Sequence, residues 1–349
     1  MSGLDPASGD GGTAAEPGHI PVLLTEVLAA LAPVAGARLV DGTYGAGGYT
    51  GALLRSAADV AVMAIERDPY ALAQGQAHVA RASGSLRLVE GCFGDMADLA
   101  EEHGFAPVDG VVLDIGVSSM QLDTVERGFS FQGDGPLDMR MGQSGETAAD
   151  VVNSASESQL ADILFHLGEE RQSRRIARQI VRARDTAPIE RTSQLAALVE
   201  RTIGRRPQDD RHPATRTFQA LRIWVNDELG ELARGLAGAE RILKPGGRLA
   251  VVTFHSLEDR IVKRFLTRRS GRTDHGSRHA PPQQDAHGPG PSFHLLNQKP
   301  ITPGDAEIDA NPRARSAKLR VGVRTEAPAW PVELPEVLGL PIIGDGARR

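Results

Sequence analysis

Short apolar runs alternate with stretches of helical spacing along the first 120 residues. Four runs bounded by glycine or polar residues predict strands at 38–41, 60–65, 86–89 and 108–114. Helical spacing between them is clearest at 69–82, where Asp68 suits the N-cap and Pro69 the first helical position. Strands that alternate with helices predict parallel βαβ units in one sheet.

The alternation stops after residue 120. Residues 121–235 show helical spacing without a strand pattern, which returns at 248–254 and 317–323. We therefore expect an α/β fold with a Rossmann-like sheet formed by 19–120 and 236–325. The inserted helical domain, 121–235, should stand at the carboxyl ends of the strands, where such sheets bind ligands.

Other segments have the composition of tails or loops. Residues 1–18 and 326–349 are predicted tails, and 268–312, rich in Gly, Pro and His, is a predicted mobile loop. Four histidines in or near that loop lack the spacing of metal ligands, so no metal is predicted: His275, His279, His287 and His294.

Composition narrows the class of protein. Cys92 is the only cysteine, which excludes an intramolecular disulfide and favours a reducing compartment. The first 18 residues lack the basic residues of a signal or transit peptide, and no apolar run approaches the roughly 18 residues that span a bilayer. We expect a cytoplasmic protein without a membrane partner.

Charge is segregated along the chain. The net charge of −6 argues weakly against a nucleic-acid partner. However, residues 171–222 hold 13 arginines against five acidic residues, and 260–278 hold seven basic residues against one acidic residue. We expect at least one block to contact phosphate. Alternatively, arginine simply replaces lysine, of which the chain has four.

The strand ends carry candidate cofactor ligands. A turn containing Gly45, Gly47 and Gly48 follows the first strand, and Glu66 ends the second, 21 residues after Gly45. Doubly wound sheets hold adenosine in this way. Thr50 stands where a dinucleotide fingerprint has its third glycine, which favours a methyltransferase. We expect the glycines to face a methionine moiety and Glu66 to bind ribose hydroxyls, unless Glu66 only caps a helix.

Two further strand ends suggest site residues. Phe93 follows the third strand and is expected to lie against adenine, with a purely structural core position as the alternative. Asp114 ends the fourth strand and precedes Ser118 and Ser119. A carboxylate at a buried strand end seldom lacks a partner, so a role in the site is favoured over a cap.

Six motifs resemble the RsmH (MraW) family over residues 19–325. They are HIPVLLTEV from 19, DGTYGAGG from 41, DIGVSSMQLD from 114, RGFSF from 127, PLDMRM from 136 and FHSLEDR from 254. The family uses S-adenosylmethionine to methylate the exocyclic N4 of one cytidine in the decoding region of 16S rRNA. The resemblance therefore implies that the sheet is of the Rossmann-like class I methyltransferase type with an inserted helical domain. It also implies this cofactor and 16S rRNA or the small ribosomal subunit as partner, and leaves homodimerisation open.

The resemblance also implies site residues. Its cofactor contacts fall on Gly47, Gly48, Tyr49, Glu66, Phe93, Asp114 and Gln121. The family commonly has His where Tyr49 stands and Asp where Glu66 stands, which puts the ribose geometry in question.

Catalysis and RNA binding involve further candidates. We expect Asp114, with Ser118 or Ser119 and His255, to line the pocket for the base, although His255 and Glu258 could equally be structural. The inserted helices are expected to hold flanking phosphates through Arg174, Arg175 and Arg178. Three alternatives stay open: an NAD-dependent oxidoreductase, a non-catalytic RNA-binding scaffold, and a methyltransferase that acts on DNA or protein.

Overall fold

Seven strands form one sheet in the computed structural model, which describes residues 21–205, 212–272, 290–331 and 339. The order is β3-β2-β1-β4-β5-β7-β6, with β1 to β5 parallel, β7 antiparallel to β5 and β6 antiparallel to β7. The strands are β1 Arg38–Asp41, β2 Ala61–Glu66, β3 Leu86–Glu90, β4 Val108–Asp114, β5 Leu243–Thr253, β6 Phe293–Leu295 and β7 Lys318–Arg324. The expected Rossmann-like α/β fold is confirmed.

Thirteen helices are found within the described residues. They are α1 Leu24–Leu31, α2 Gly48–Leu54, α3 Pro69–Arg81, α4 Met96–Glu102, α5 Ser119–Asp123, α6 Ala148–Ser154, α7 Glu157–Gly168, α8 Ser173–Arg184, α9 Thr192–Ile203, α10 Thr215–Asn226, α11 Glu228–Ile242, α12 Ser256–Arg269 and α13 Asp305–Ala310. As expected, the Asp68 carboxylate caps α3 by accepting a hydrogen bond from the Tyr70 backbone N–H at 3.0 Å.

The strands bury both faces because successive side chains point to opposite sides. Leu39 and Val62 pack with α1 and α2 on one face, whereas Val40 and Met63 pack with α4, α11 and α12 on the other. The parallel strands are accordingly almost wholly apolar, as expected for a sheet covered twice.

The helices of the predicted insert end with α10, because the next helix, α11, packs against the sheet domain. Helix α7 packs against α8 and α10, and these form the body of the predicted insert. Helix α11 begins inside the predicted range 121–235, but it packs against α4 and the 93–95 turn. It is therefore the crossover helix between β4 and β5, and it links the insert directly to the sheet.

Part of the predicted loop 268–312 is regular structure. Residues 290–312 include β6 and α13, because β6 pairs with β7 and buries Phe293 edge-to-face against Phe265 of α12. The burial of Phe293 stabilises β6 although the surrounding segment is rich in Gly and Pro. Residues 273–289, including His275, His279 and His287, lie outside the described residues, as do 1–20, 332–338 and 340–349. Among the described helices, none is long and apolar enough to cross a membrane.

Candidate active site

A cavity of about 410 Å³ opens beyond the carboxyl ends of β1 and β4. The strand order reverses between these two strands, and doubly wound sheets bind their ligands at such a point. The glycine turn, the tip of β2 and the start of α5 line one part of the cavity. Helix α10 and the start of α12 line another part, so the insert supplies one wall.

The glycine turn depends on left-handed backbone. Gly45 has a φ of +54° and Gly47 a φ of +77°, values that favour glycine. Gly45 and Gly48 line the cavity, whereas Gly47 does not. A Cβ on Gly47 would come within 2.8 Å of the Tyr44 hydroxyl and of His78 Nδ1. Gly47 therefore contributes to the packing of the turn, and its predicted contact with the cofactor stays a prediction.

Glu66 fastens the glycine turn to β2. Its Oε2 accepts a hydrogen bond from Gly45 N at 2.8 Å, and its Oε1 accepts from Arg67 N and Asp68 N, both at 2.8 Å. Burial raises the pKa of Glu66 above its ordinary value, although these backbone donors act against the rise. The carboxylate also lines the cavity, where an adenosine ribose could reach it.

Three more predicted cofactor residues line the cavity: Tyr49, Phe93 and Gln121. The buried Tyr49 hydroxyl donates to the carbonyl of Val22, and burial raises the pKa of Tyr49. Gln121 is also held at both ends, because its Nε2 donates to Asp68 Oδ2 at 2.9 Å and its Oε1 accepts from Ser118 N at 3.0 Å. Tyr49 and Gln121 thus shape the cavity with polar ends already paired.

Asp114 differs from these residues because one carboxylate oxygen has no partner. Its backbone N–H donates to Thr43 Oγ1 at 2.7 Å, but its buried Oδ1 accepts no hydrogen bond from the described residues. Burial, together with the negative charges of Asp41 and Glu258, raises the pKa of Asp114 to about 8. The carboxyl group therefore changes between its protonated and ionised forms at about pH 8.

The two serines after β4 already have protein partners. Ser118 Oγ caps α5 by accepting from Gln121 N at 3.2 Å, and Ser119 Oγ accepts from Arg313 Nη1 at 2.7 Å. Both serines line the cavity. Arg313 also lines it, and sequence reasoning missed this residue because its surroundings have the composition of a loop.

Four polar side chains, which we call the polar cluster, lie beside the part of the cavity that α10 lines. Its members, Arg222, Glu228, His255 and Glu258, come from α10, α11 and the start of α12. Arg222 donates to both carboxylate oxygens of Glu228 at 2.7 Å. Glu258 is fully buried, and its Oε2 accepts from Phe254 N at 2.8 Å and from His255 N at 3.1 Å. Nothing in the local sequence pattern indicated Arg222 as a site residue.

Two neighbours in the polar cluster keep Glu258 ionised. Burial by itself would raise the pKa of Glu258, but His255 and Arg222 beside it hold that pKa below its ordinary value. A buried carboxylate is stable only with such compensation.

The polar cluster also has the spacing of a metal site, since ligand atoms of Glu228, His255 and Glu258 lie within 4.8 Å of one another. Two features favour a hydrogen-bonded network instead. Arg222 already occupies both oxygens of Glu228. His255 Nδ1 accepts from Glu258 N at 3.4 Å, which leaves the proton of the neutral ring on Nε2. A metal on Nε2 would need a proton on Nδ1 instead.

Unpartnered polar atoms are concentrated at the cavity. Seven buried side-chain atoms of the described residues have no hydrogen-bond partner, and four of them belong to residues that line it: Arg67 Nε, Asp114 Oδ1, His255 Nε2 and Glu258 Oε1. Buried polar atoms are almost always hydrogen-bonded in folded proteins. The concentration indicates a polar ligand.

Helix α8 of the insert presents exposed arginines. Arg174, Arg175 and Arg178, which we call the α8 arginine face, are exposed. Arg178 forms only a long, exposed ion pair of 3.4 Å with Glu157.

The start of α8 is joined to the cavity wall through Glu169, four residues earlier. Glu169 accepts from Ser256 Oγ at 2.6 Å and from Arg260 at 3.0 Å. Ser256 follows His255 directly, so Glu169 connects the segment that precedes α8 to the start of α12.

Known proteins resemble this chain over nearly its whole length. The model of the MraW methylase family matches residues 16–325. The ribosomal RNA small subunit methyltransferase H of Hyphomonas neptunium is 57% identical over 331 residues, which are 95% of this chain and 96% of that protein. The protein of the same name from Methylorubrum populi is 60% identical over 329 residues, 93% of each chain. That from Parvibaculum lavamentivorans is 59% identical over 327 residues, 94% of this chain and 95% of that one.

Proposed function

The chain belongs to the MraW methylase family, and from this premise we propose that it transfers a methyl group from S-adenosylmethionine to rRNA of the small ribosomal subunit. We place the acceptor at the exocyclic N4 of a cytidine in the decoding region of 16S rRNA, and the reaction in the cytoplasm. The names of the relatives support the substrate class. The observation that carries the proposal is one cavity with an adenosine-type cradle on one side and the unpartnered Asp114 oxygen on the other.

The cavity residues fit S-adenosylmethionine. Gly45 and Gly48 expose backbone without a Cβ, and Glu66 offers a carboxylate at the tip of β2. Phe93 lines the same cavity with an aromatic ring that suits adenine. When bound, the cofactor supplies a methyl group already activated by a sulfonium charge, so the protein needs no nucleophile of its own.

The chain must then position the acceptor and receive a proton. A cytosine amino group is a poor nucleophile because its lone pair is delocalised into the ring. The unpartnered Asp114 Oδ1 is suited to accept a hydrogen bond from that amino group and to take its proton as the new bond forms. Once ionised, a carboxylate whose pKa is about 8 is a stronger proton acceptor than an ordinary one. Correct alignment of the reacting atoms contributes about 7–11 kcal/mol in favourable cases.

The inserted helices are suited to hold the RNA. The α8 arginine face is exposed, and arginine pairs well with phosphate. Glu169, four residues before α8, accepts hydrogen bonds from Ser256 and Arg260 of α12. His255 and Glu258 at the start of α12 line the cavity. A single-stranded or loosely paired cytidine can be turned out of its stack into a pocket at a cost of a few kcal/mol. The arginines would then bind phosphates on either side of the target.

The direct test supplies methyl-labelled S-adenosylmethionine with either naked 16S rRNA or small subunits, both taken from cells that lack this protein. We expect label on one cytidine, located by mass mapping of RNase fragments, in at least one of the two substrates. Label on DNA or protein alone would contradict the proposal. RNA binding without transfer would favour the scaffold alternative.

The choice between S-adenosylhomocysteine and NAD as ligand distinguishes the proposed methyltransferase from an NAD-dependent oxidoreductase. S-adenosylhomocysteine should raise the melting temperature in a concentration-dependent way, because a ligand that binds only the folded state stabilises it. NAD should leave the melting temperature unchanged. The opposite result would favour an oxidoreductase.

A further inference from the structure

We propose that His255, positioned by Glu258, donates a hydrogen bond from Nε2 to N3 of the target base, so that the polar cluster selects cytosine over uracil. This role rests on the proposed function, since it takes the base to be the ligand of the cavity. It assigns a specificity-determining contact to His255 and a positioning role to Glu258.

The first step is the state of the His255 ring. Its Nδ1 accepts a hydrogen bond from Glu258 N at 3.4 Å, so the neutral ring carries its proton on Nε2. Nε2 lies 2.9 Å from Glu258 Oε1, yet both atoms are buried without a properly aligned hydrogen bond to any described residue. The wall of the cavity thus holds an N–H donor whose hydrogen-bonding capacity is not used well by the protein.

The second step is the pattern of donor and acceptor. Asp114 Oδ1 is an unpartnered acceptor, and His255 Nε2–H is a poorly used donor in the same cavity. Asp114 pairs with Val252 across the adjacent strands β4 and β5, and His255 follows Val252 by three residues, so the two side chains belong to neighbouring strand ends. Cytosine presents an amino donor next to the N3 acceptor, which complements this pair. When Asp114 is ionised, above its pKa of about 8, uracil would place a carbonyl against the carboxylate and an N3–H donor against His255 Nε2–H, so both contacts become repulsive.

The third step is what holds the ring in place. Two backbone N–H groups fix Glu258 Oε2, which leaves Oε1 facing the imidazole. Arg222, itself held by both oxygens of Glu228, keeps the charge on Glu258. Because Arg222 belongs to α10, the insert supports the contact that reads the base as well as the wall that holds RNA.

The test measures nucleotide binding at pH 8.5, where Asp114 is mainly ionised, to the full chain saturated with S-adenosylhomocysteine, by titration calorimetry or ligand-observed NMR. The probes are cytidine monophosphate, 3-deazacytidine monophosphate, which lacks only the N3 acceptor, and uridine monophosphate. Loss of one hydrogen bond should weaken binding of the 3-deaza compound about 5-fold relative to cytidine monophosphate. Uridine monophosphate should bind more weakly still.

Matched variants assign the difference to His255. His255→Gln places an amide nitrogen near the position of Nε2 and should keep the preference for cytidine over 3-deazacytidine. His255→Asn retains a good N-cap for α12 but does not reach that position, so the preference should fall below about 2-fold. Glu258→Gln should also reduce the preference, whereas a merely structural role would weaken all three nucleotides equally.

Three results would overturn the inference. They are equal affinity of the unmodified protein for cytidine and 3-deazacytidine monophosphates, an undiminished preference in His255→Asn, and no cytidine monophosphate binding at all. Failure of the proposed function looks different, because then S-adenosylhomocysteine would not bind or methyl transfer to rRNA would be absent.

Discussion

Replacement of Asp114 by Asn tests the proposed proton acceptor with the smallest change of shape. The amide keeps the size of the carboxyl group, and the backbone hydrogen bond from Asp114 N to Thr43 Oγ1 is untouched. What disappears is the ability to take a proton from the amino group. Because the substitution changes only the ability to accept this proton, the variant should still bind cofactor and RNA.

The size of the effect follows from the role assigned to this group. A positioned general base contributes roughly 10²–10⁴-fold, so the single-turnover rate of Asp114→Asn should fall at least about 100-fold at pH 8.5. In the unmodified protein the carboxylate is the active form. With the pKa of Asp114 at about 8, the rate should rise about 10-fold per pH unit below pH 7 and level off above pH 8. The residual rate of Asp114→Asn should lack this rise.

The raised pKa of Asp114 also predicts how the stability of the folded protein depends on pH. The folded pKa of Asp114 lies above the value of about 3.9 expected in the unfolded chain, so folding favours the protonated form. This contribution is fully present below that unfolded value and is lost as the pH rises towards 8. The melting temperature of Asp114→Asn relative to the unmodified protein should therefore increase between pH 5 and pH 8.5.

The assay is rapid-quench methyl transfer with enzyme in excess and saturating S-adenosylmethionine, between pH 6 and pH 9. Asp98→Asn is a suitable control, because Asp98 lies on α4 with a side chain 72% exposed. Retention of more than about one third of the rate by Asp114→Asn would refute the reasoning, since the loss of a positioned base costs far more. An unchanged pH profile in the variant would refute it as well.

Three other predictions concern RNA and cofactor binding. Reversal of the α8 arginine face to glutamate should weaken RNA binding and flatten its salt dependence by about 0.7 per lost single-strand phosphate contact, while calorimetry with S-adenosylhomocysteine stays unchanged. Arg55 and Arg81, exposed at the C-terminal ends of α2 and α3 and not among the residues that line the cavity, are matched control sites for reversal. Gly47→Ala should cost more than the roughly 1–2 kcal/mol of a left-handed alanine, because its Cβ also meets Tyr44 and His78, and the melting temperature should fall further than in Gly45→Ala, where only the backbone is strained. Glu66→Gln should weaken S-adenosylhomocysteine binding at least about 10-fold, since the carboxylate accepts three backbone hydrogen bonds at 2.8 Å that shape the turn; unchanged affinity would show that Glu66 does not organise the cofactor side.

The strands and their polar ends could be predicted from the sequence because they depend on local patterns. The bounds of β1 and β4 agree with the expected residues, and α3 begins at the expected Asp68 cap. Apolar runs, caps and turn glycines act over a few residues, so their signal is contained in the chain itself. Glu66 and Asp114 were identifiable for the same reason, since each ends such a run.

Partnerships across the molecule were outside the reach of local patterns. The sequence places Ser118 and Ser119 at the predicted site without indicating their partners. In the structure, Ser118 caps α5 and Ser119 accepts a hydrogen bond from Arg313, 194 residues away. The sequence also gives no sign that β6 would form within a Gly- and Pro-rich segment.

The sequence by itself determined the parallel sheet, the acidic strand ends and the family to which the chain belongs, because helical and strand periodicities and short motifs are properties of neighbouring residues. Only the tertiary structure decided that Arg222 of α10 and Glu258 of α12 meet beside Asp114 of β4, and that one oxygen of this carboxylate is buried without a partner. The physical reason is that burial and charge compensation are set by packing between elements distant in the chain. A side chain acquires its donor, its acceptor and its pKa only when those elements come together.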